Sequence, residues 1–170
     1  MTRDSESEHR RRLEFNRAFR CFITLLTPAP ASRRGPLSEF TMAVKDCIDV
    51  RGVRGTWGSS LMAERIACED ATVVALLRRA GTQIVGTTNL HEFAFGGTTQ
   101  NPHFGFCRNA WDPGRVCGGS SGGSAVAVAL GLCDLGVGTD TGASVRLPAA
   151  FNGVFGLRPT HGAVSAGGVM

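Results

Sequence analysis

The segment EDATVVALLRRAGTQIVG, residues 69–86, holds a helix and a strand separated by one glycine. Glu69 and Asp70 place negative charge at the positive end of the helix. Val73, Leu76, Leu77 and Ala80 recur with helical spacing and form its apolar face. Arg78 and Arg79 occupy the last turn, and Gly81 stops it. Residues 83–86 (Gln83, Ile84, Val85, Gly86) then read as a short buried strand.

The same alternation continues outward. Upstream, residues 40–44 are an apolar run of strand length ending at Lys45-Asp46, and residues 48–54 are either a second strand or an extended loop. Downstream, residues 89–95 predict a short helix. Residues 96–117 show no periodicity and carry the breakers Asn101-Pro102 and Asp112-Pro113. Structureless loops of that length are usually functional. A small-residue helix at 125–130, a strand at 132–138 and another at 154–157 follow. Helix and strand alternate, which predicts an α/β fold with a mixed, largely parallel β-sheet flanked by helices. Near the N-terminus Phe15, Phe19, Phe22 and Leu26 form a helical stripe behind eight polar, loose residues. The stripe stops at Thr27-Pro28-Ala29-Pro30, and the Pro/Ser/Arg stretch to Gly35 reads as a linker. The expected division is therefore an N-terminal helical segment with linker, 1–34, and a core, 35–170.

Length and composition fit this picture. A chain of 170 residues makes one domain with a real core. Hydrophobic residues make 42% and charged residues 19%, which excludes a disordered chain. The 23 glycines follow no Gly-X-Y period, so they belong to turns and backbone-lined loops. The net charge is +4, with Arg10, Arg11, Arg12, Arg17, Arg20, Arg33 and Arg34 crowded at the start. No aromatic-interleaved or helix-turn-helix pattern accompanies them, so a solvated helix face is favoured over nucleic-acid binding. Asp4, Glu6 and Glu8 argue against a mitochondrial transit peptide. No stretch approaches the ~18 apolar residues of a membrane span. The six cysteines show no CxxC and no zinc-like pairing with histidine, so a reduced cytoplasmic protein with buried thiols is expected. Of the 18 basic residues all but Lys45 are arginine.

Two loops carry candidate chemistry. Gly118-Gly119-Ser120-Ser121-Gly122-Gly123-Ser124 precedes the small-residue helix and reads either as an anion-binding loop or as a glycine-rich turn with serine caps. GxxxxGK[ST] is absent. The second loop, Gly138-Thr139-Asp140-Thr141-Gly142-Ala143-Ser144-Val145-Arg146, follows a strand at the end where parallel sheets bind ligands. Asp140 and Arg146 can pair across it and fix its shape. A nucleophilic serine there needs a base. His91, His103 and His161 are available, and so is Lys45, because burial at a strand end lowers an amine's pKa and Ser-Lys pairs exist.

Ala43-Val44-Lys45-Asp46, Gly86-Thr87-Thr88-Asn89, Glu92-Phe93-Ala94, the two serine-glycine loops through Leu147-Pro148-Ala149, and Phe155-Gly156-Leu157-Arg158-Pro159-Thr160 occur in order. Together they resemble the amidase signature family of Ser-cis-Ser-Lys hydrolases. The likeness runs from about Gly35 to the end, with residues 19–27 similar to the end of the family's first helical region. The resemblance implies the amidase signature fold, incomplete at the C-terminus because family enzymes continue well past position 170. Lys45 would then be the base, Ser120 the bridging serine after a cis peptide, and Ser144 the nucleophile that forms an acyl-enzyme. Backbone N–H groups of Thr141, Gly142, Ala143 and Ser144 would form the oxyanion hole, although the family usually has glycine where Ala143 stands. The resemblance implies a small-molecule amide substrate, a homodimer as one assembly, and no metal, organic cofactor, nucleic acid or membrane. Two alternatives accompany amide hydrolysis: a glutaminase-type subunit of a tRNA-dependent amidotransferase, and an inactive truncated fragment. An isolated chain is expected to aggregate through bare sheet edges.

Overall fold

The computed structural model describes residues 5–27 and 34–170. Most of the expected linker, residues 28–33, lies outside the described residues. The ordered elements are α1 (Glu6–Phe19), β1 (Phe22–Leu25), β2 (Thr41–Lys45), α2 (Thr72–Arg79), β3 (Gln83–Thr88), a small ribbon of β4 (Gln100–Asn101) and β5 (Gly105–Phe106), α3 (Gly122–Ala129), β6 (Leu135–Val137) and α4 (Arg146–Asn152). The main sheet has the order β1-β3-β2-β6. β2 runs parallel to both β3 and β6, while β1 closes one edge antiparallel to β3. The sheet is thus mixed and largely parallel, with helices flanking it.

Strand alternation divides the core in two. Ala43 and Val85 face α3, where Val126 and Ala127 pack with Cys21, Phe22, Cys107, Cys117, Leu132 and Cys133. Met42, Val44 and Ile84 face the other way, toward Val74 of α2. β2 and β3 are buried along their whole length, as expected for strands covered on both faces. Burial of Cys21, Cys107 and Cys133 among apolar neighbours pushes their thiols up, that of Cys133 to about 12. All six cysteines are free, and Cys68 is exposed.

Several expectations change. The aromatic stripe is not one helix, because α1 ends at Arg20, which has φ 52. The Asn16 carboxamide then accepts from Phe22 N at 2.7 Å and donates to Phe22 O, turning the chain into β1. Phe15 and Phe19 stay on the helix, stacked with centroids 6.1 Å apart. The start of the chain is not loose as far as residue 8, since α1 opens at Glu6 with Ser5 as its cap. The arginine run does not simply face solvent either. Arg11 donates to Leu130 O and Gly131 O, and buried Arg12 to Leu132 O, so cations meet the carbonyls at the C-terminal end of α3. The expected face of α2 is only partly the buried one: Val73 and Leu77 pack against the core, but Val74 is fully buried and Leu76 is half exposed. Residues 48–54 form an extended loop with isolated bridges at Ile48 and Arg54. Residues 89–95 contain only a 3-10 turn, Glu92–Ala94, with Phe93 and Ala94 left-handed. Residues 154–157 form no strand, since no neighbour pairs with them and Phe155 is fully exposed. Just before them stands α4, which periodicity does not reveal and which ends at left-handed Gly153. Among the described residues, no helix is long and apolar enough to cross a membrane.

Candidate active site

Sheet register brings the two ends of the site together. Ala43 and Lys45 share the face of β2 that looks toward α3, and the pairing Val44↔Val137 sets Lys45 beside the start of the loop after β6. The Gly-Ser loop leads into α3 on that same face. Lys45 is fully buried, and its Nζ donates to Ser120 Oγ and to Thr139 Oγ1, both at 2.7 Å. Among the described residues it makes no ion pair. Burial lowers its amine to about 8, against smaller opposing effects from Cys47 and the Asp140 carboxylate. Ser120 is buried, and the Gly119–Ser120 peptide is cis.

Ser144 lies half-buried on the turn after β6 and is tied to the serine loop through its backbone: Ser121 N donates to Ser144 O at 3.1 Å. Ser121 Oγ donates to Thr139 O. The side chains of Ser120 and Ser144 make no hydrogen bond with each other among the described residues. Lys45 and Ser120 are therefore joined directly, and Ser144 is joined to them through the main chain of residue 121.

The expected Asp140–Arg146 pair is present. Arg146 Nε and Nη2 reach the two Asp140 carboxylate oxygens, each at 3.0 Å. The carboxylate also accepts from the N–H groups of Ala143, Val145 and Arg146, and Arg158 Nε donates to Asp140 O. The hydrogen bonds from Arg146 hold this carboxyl well below the usual carboxylate range. Of the four N–H groups expected to form an oxyanion hole, that of Ala143 donates to Asp140 Oδ1 at 2.8 Å, and those of Thr141, Gly142 and Ser144 have no partner among the described residues. Ala143 itself sits at φ 87.

The histidines stand apart. His103 pairs with Glu92, His91 Nδ1 lies 3.4 Å from Thr98 Oγ1, and His161 is exposed, so among the described residues no imidazole ring hydrogen-bonds either serine, and His91 meets Ser120 only through its backbone N–H, which donates to Ser120 O at 3.2 Å. Sequence reasoning misses Thr139, which reads as one hydroxyl among several; only the β2–β6 pairing makes it a neighbour of Lys45. No group of three or more His, Cys, Asp or Glu among the described residues could hold a metal ion.

A family profile described as Amidase matches residues 25–170. The chain belongs to the amidase family. Among curated relatives, the A subunit of the glutamyl-tRNA(Gln) amidotransferase of Natronomonas pharaonis is 54% identical over 88% of this chain and 35% of its own length. That of Sulfurisphaera tokodaii is 47% identical over 81% of this chain and 29% of its own length. The chain thus spans about a third of the curated relatives it matches. Solved amidase-family folds superpose closely. The A subunit of the glutamyl-tRNA(Gln) amidotransferase of Thermotoga maritima gives a TM-score of 0.90 at 39% identity, covering 96% of this chain and 37% of that one. The peptide amidase of Stenotrophomonas maltophilia gives 0.83 at 32% identity, covering 98% and 39%.

Proposed function

We propose that this chain carries the reacting groups of a carboxylic-amide hydrolase, with Lys45 as base, Ser120 as relay and Ser144 as nucleophile. The observation that carries this reading is the fully buried Lys45 amine on Ser120 Oγ at 2.7 Å, with no acidic partner among the described residues. An amine held there with a pKa near 8 is neutral in a useful fraction of molecules near neutral pH, which a general base requires. Neutral Lys45 accepts the Ser120 proton as Ser120 accepts that of Ser144. The Ser144 oxygen then bonds to the amide carbon, and the returning proton leaves with the amine or ammonia. Water releases the acid and restores the serine. The N–H groups of Thr141, Gly142 and Ser144 face the developing oxyanion, typically the largest electrostatic contribution in acyl transfer. The relay requires the two serine hydroxyls to meet when substrate binds, and catalytic hydrogen bonds often tighten only in the complex.

A second reading shares this chemistry and differs in substrate. The curated relatives reported above are amidotransferase A subunits at 47–54% identity, which supports release of ammonia from a primary amide such as that of glutamine. In both readings the substrate is a small amide and the chain needs no metal or organic cofactor.

Labelling by a fluorophosphonate, followed by peptide mapping, tests the assignment. The adduct is expected on Ser144 and absent in Ser144→Ala. An adduct that persists in Ser144→Ala contradicts it.

A further inference from the structure

Thr99 combines features that packing alone does not require. It is fully buried in the long loop between β3 and α3, and it is β-branched yet sits at φ 54. A β-branched residue in the left-handed region is a genuine outlier, and such outliers concentrate where function fixes the backbone. Its hydroxyl is spent on the segment that carries Ser120. Thr99 Oγ1 donates to Gly118 O at 2.8 Å, lies 3.5 Å from Ser120 O, and accepts from Gly122 N at 3.2 Å. One hydroxyl thereby uses its single donor and its acceptor capacity on both sides of Ser120. The glycines around it are shaped to this contact: a Cβ at Gly122 would come within 2.5 Å of Thr99 Oγ1, and one at Gly119 within 2.9 Å. The Thr99 carbonyl is held in turn by Cys107 N at 3.1 Å.

We infer that Thr99 is a positioning residue: its hydroxyl fixes the Gly118–Gly122 segment so that Ser120 Oγ stays on Lys45 Nζ. This rests on the reading of Lys45 and Ser120 given above. The hydroxyl is what acts. Without it the buried Gly122 N–H loses this partner and the Gly118 carbonyl keeps only the weak Cys117 Sγ donor at 3.3 Å, and the segment shifts to satisfy them. A displacement of about 1 Å is enough to cost a reaction 10²-fold.

The test compares Thr99→Val, which keeps the shape and loses the hydroxyl, with Thr99→Ser, which keeps the hydroxyl. Thr99→Gly loses the hydroxyl but suits the left-handed backbone, so it reports even if the valine variant does not fold. Two readouts are followed on each folded chain: the fluorophosphonate acylation rate, and the pH midpoint of the side-chain 15N resonance of Lys45, the only lysine. Thr99→Val and Thr99→Gly are expected to lose about 10- to 100-fold in rate and to shift the Lys45 midpoint, while Thr99→Ser stays close to the unsubstituted chain in both. Thr99→Gly with unchanged rate and midpoint overturns the inference, as does Thr99→Ser failing alongside it. If the unsubstituted chain is not acylated at Ser144, the reading of the site fails instead, and the Lys45 midpoint alone decides the role of Thr99.

Discussion

Lys45 Nζ donates to Thr139 Oγ1 at 2.7 Å, the same distance at which it meets Ser120 Oγ. The second hydroxyl matters because, in the mechanism proposed above, the amine has two tasks. It must be neutral often enough to accept a proton, and it must not wander when it does. Two hydroxyls on separate loops fix its position with no ion pair among the described residues, and burial outweighs the smaller upward pull of Cys47 and the Asp140 carboxylate.

The pH dependence of acylation follows from this arrangement. The base works when deprotonated, so the rate is expected to rise tenfold per pH unit below a midpoint near 8 and to level off above it. Thr139 accepts from the ammonium and so favours the charged form. Thr139→Val is therefore expected to move the midpoint down. Stopped-flow labelling from pH 6 to 10 measures both midpoints, and an upward shift or none in the variant contradicts the coupling.

Ala143 bears a Cβ at φ 87, where the left-handed backbone costs a non-glycine residue about 1–2 kcal/mol. Glycine there relieves that strain and gives back about 0.4–1 kcal/mol through a more flexible unfolded chain. Ala143→Gly is expected to be as stable as the parent or up to about 1.6 kcal/mol more so, and to acylate faster as the N–H groups beside it align. Urea unfolding together with the labelling rate decides it. A less stable or slower variant shows that the methyl group fits the turn.

Among the described residues β6 pairs with β2 on one side only, and its other edge lies open beside fully exposed Phe155 and largely exposed Leu157. Unpaired edges next to apolar surface template self-association. The 170-residue chain is expected to form concentration-dependent oligomers in light scattering. A monodisperse monomer across a tenfold concentration range would remove that expectation.

The sequence makes legible what periodicity and motif order encode. Glycine and arginine at the end of α2, the buried run of β3 and the strand ending at Lys45 all appear where their residues place them. The Asp140–Arg146 pair is readable because both partners lie on one turn. Hidden are the features that depend on contacts between distant segments. Phe22 continues a helical stripe on paper, yet the Asn16 carboxamide turns it into an edge strand. Arg12 reads as surface and is buried against a carbonyl 120 residues away. Thr99 and Thr139 gain their roles from loops and a strand order that no local pattern carries. Nor does spacing reveal that the Ala143 N–H is taken by Asp140.

The central claim is that Lys45 works as a neutral amine, and arginine separates this from a role as a fixed charge. A guanidinium keeps the charge and the hydrogen-bond donors but is not deprotonated in a protein. General-base catalysis contributes typically 10²–10⁴-fold. The direct measurement is the rate of Ser144 acylation in Lys45→Arg beside Lys45→Ala, each shown to be folded by a cooperative melt. The account predicts that both fall by roughly two orders of magnitude or more, with arginine no better than alanine. Substantial acylation in Lys45→Arg would contradict it.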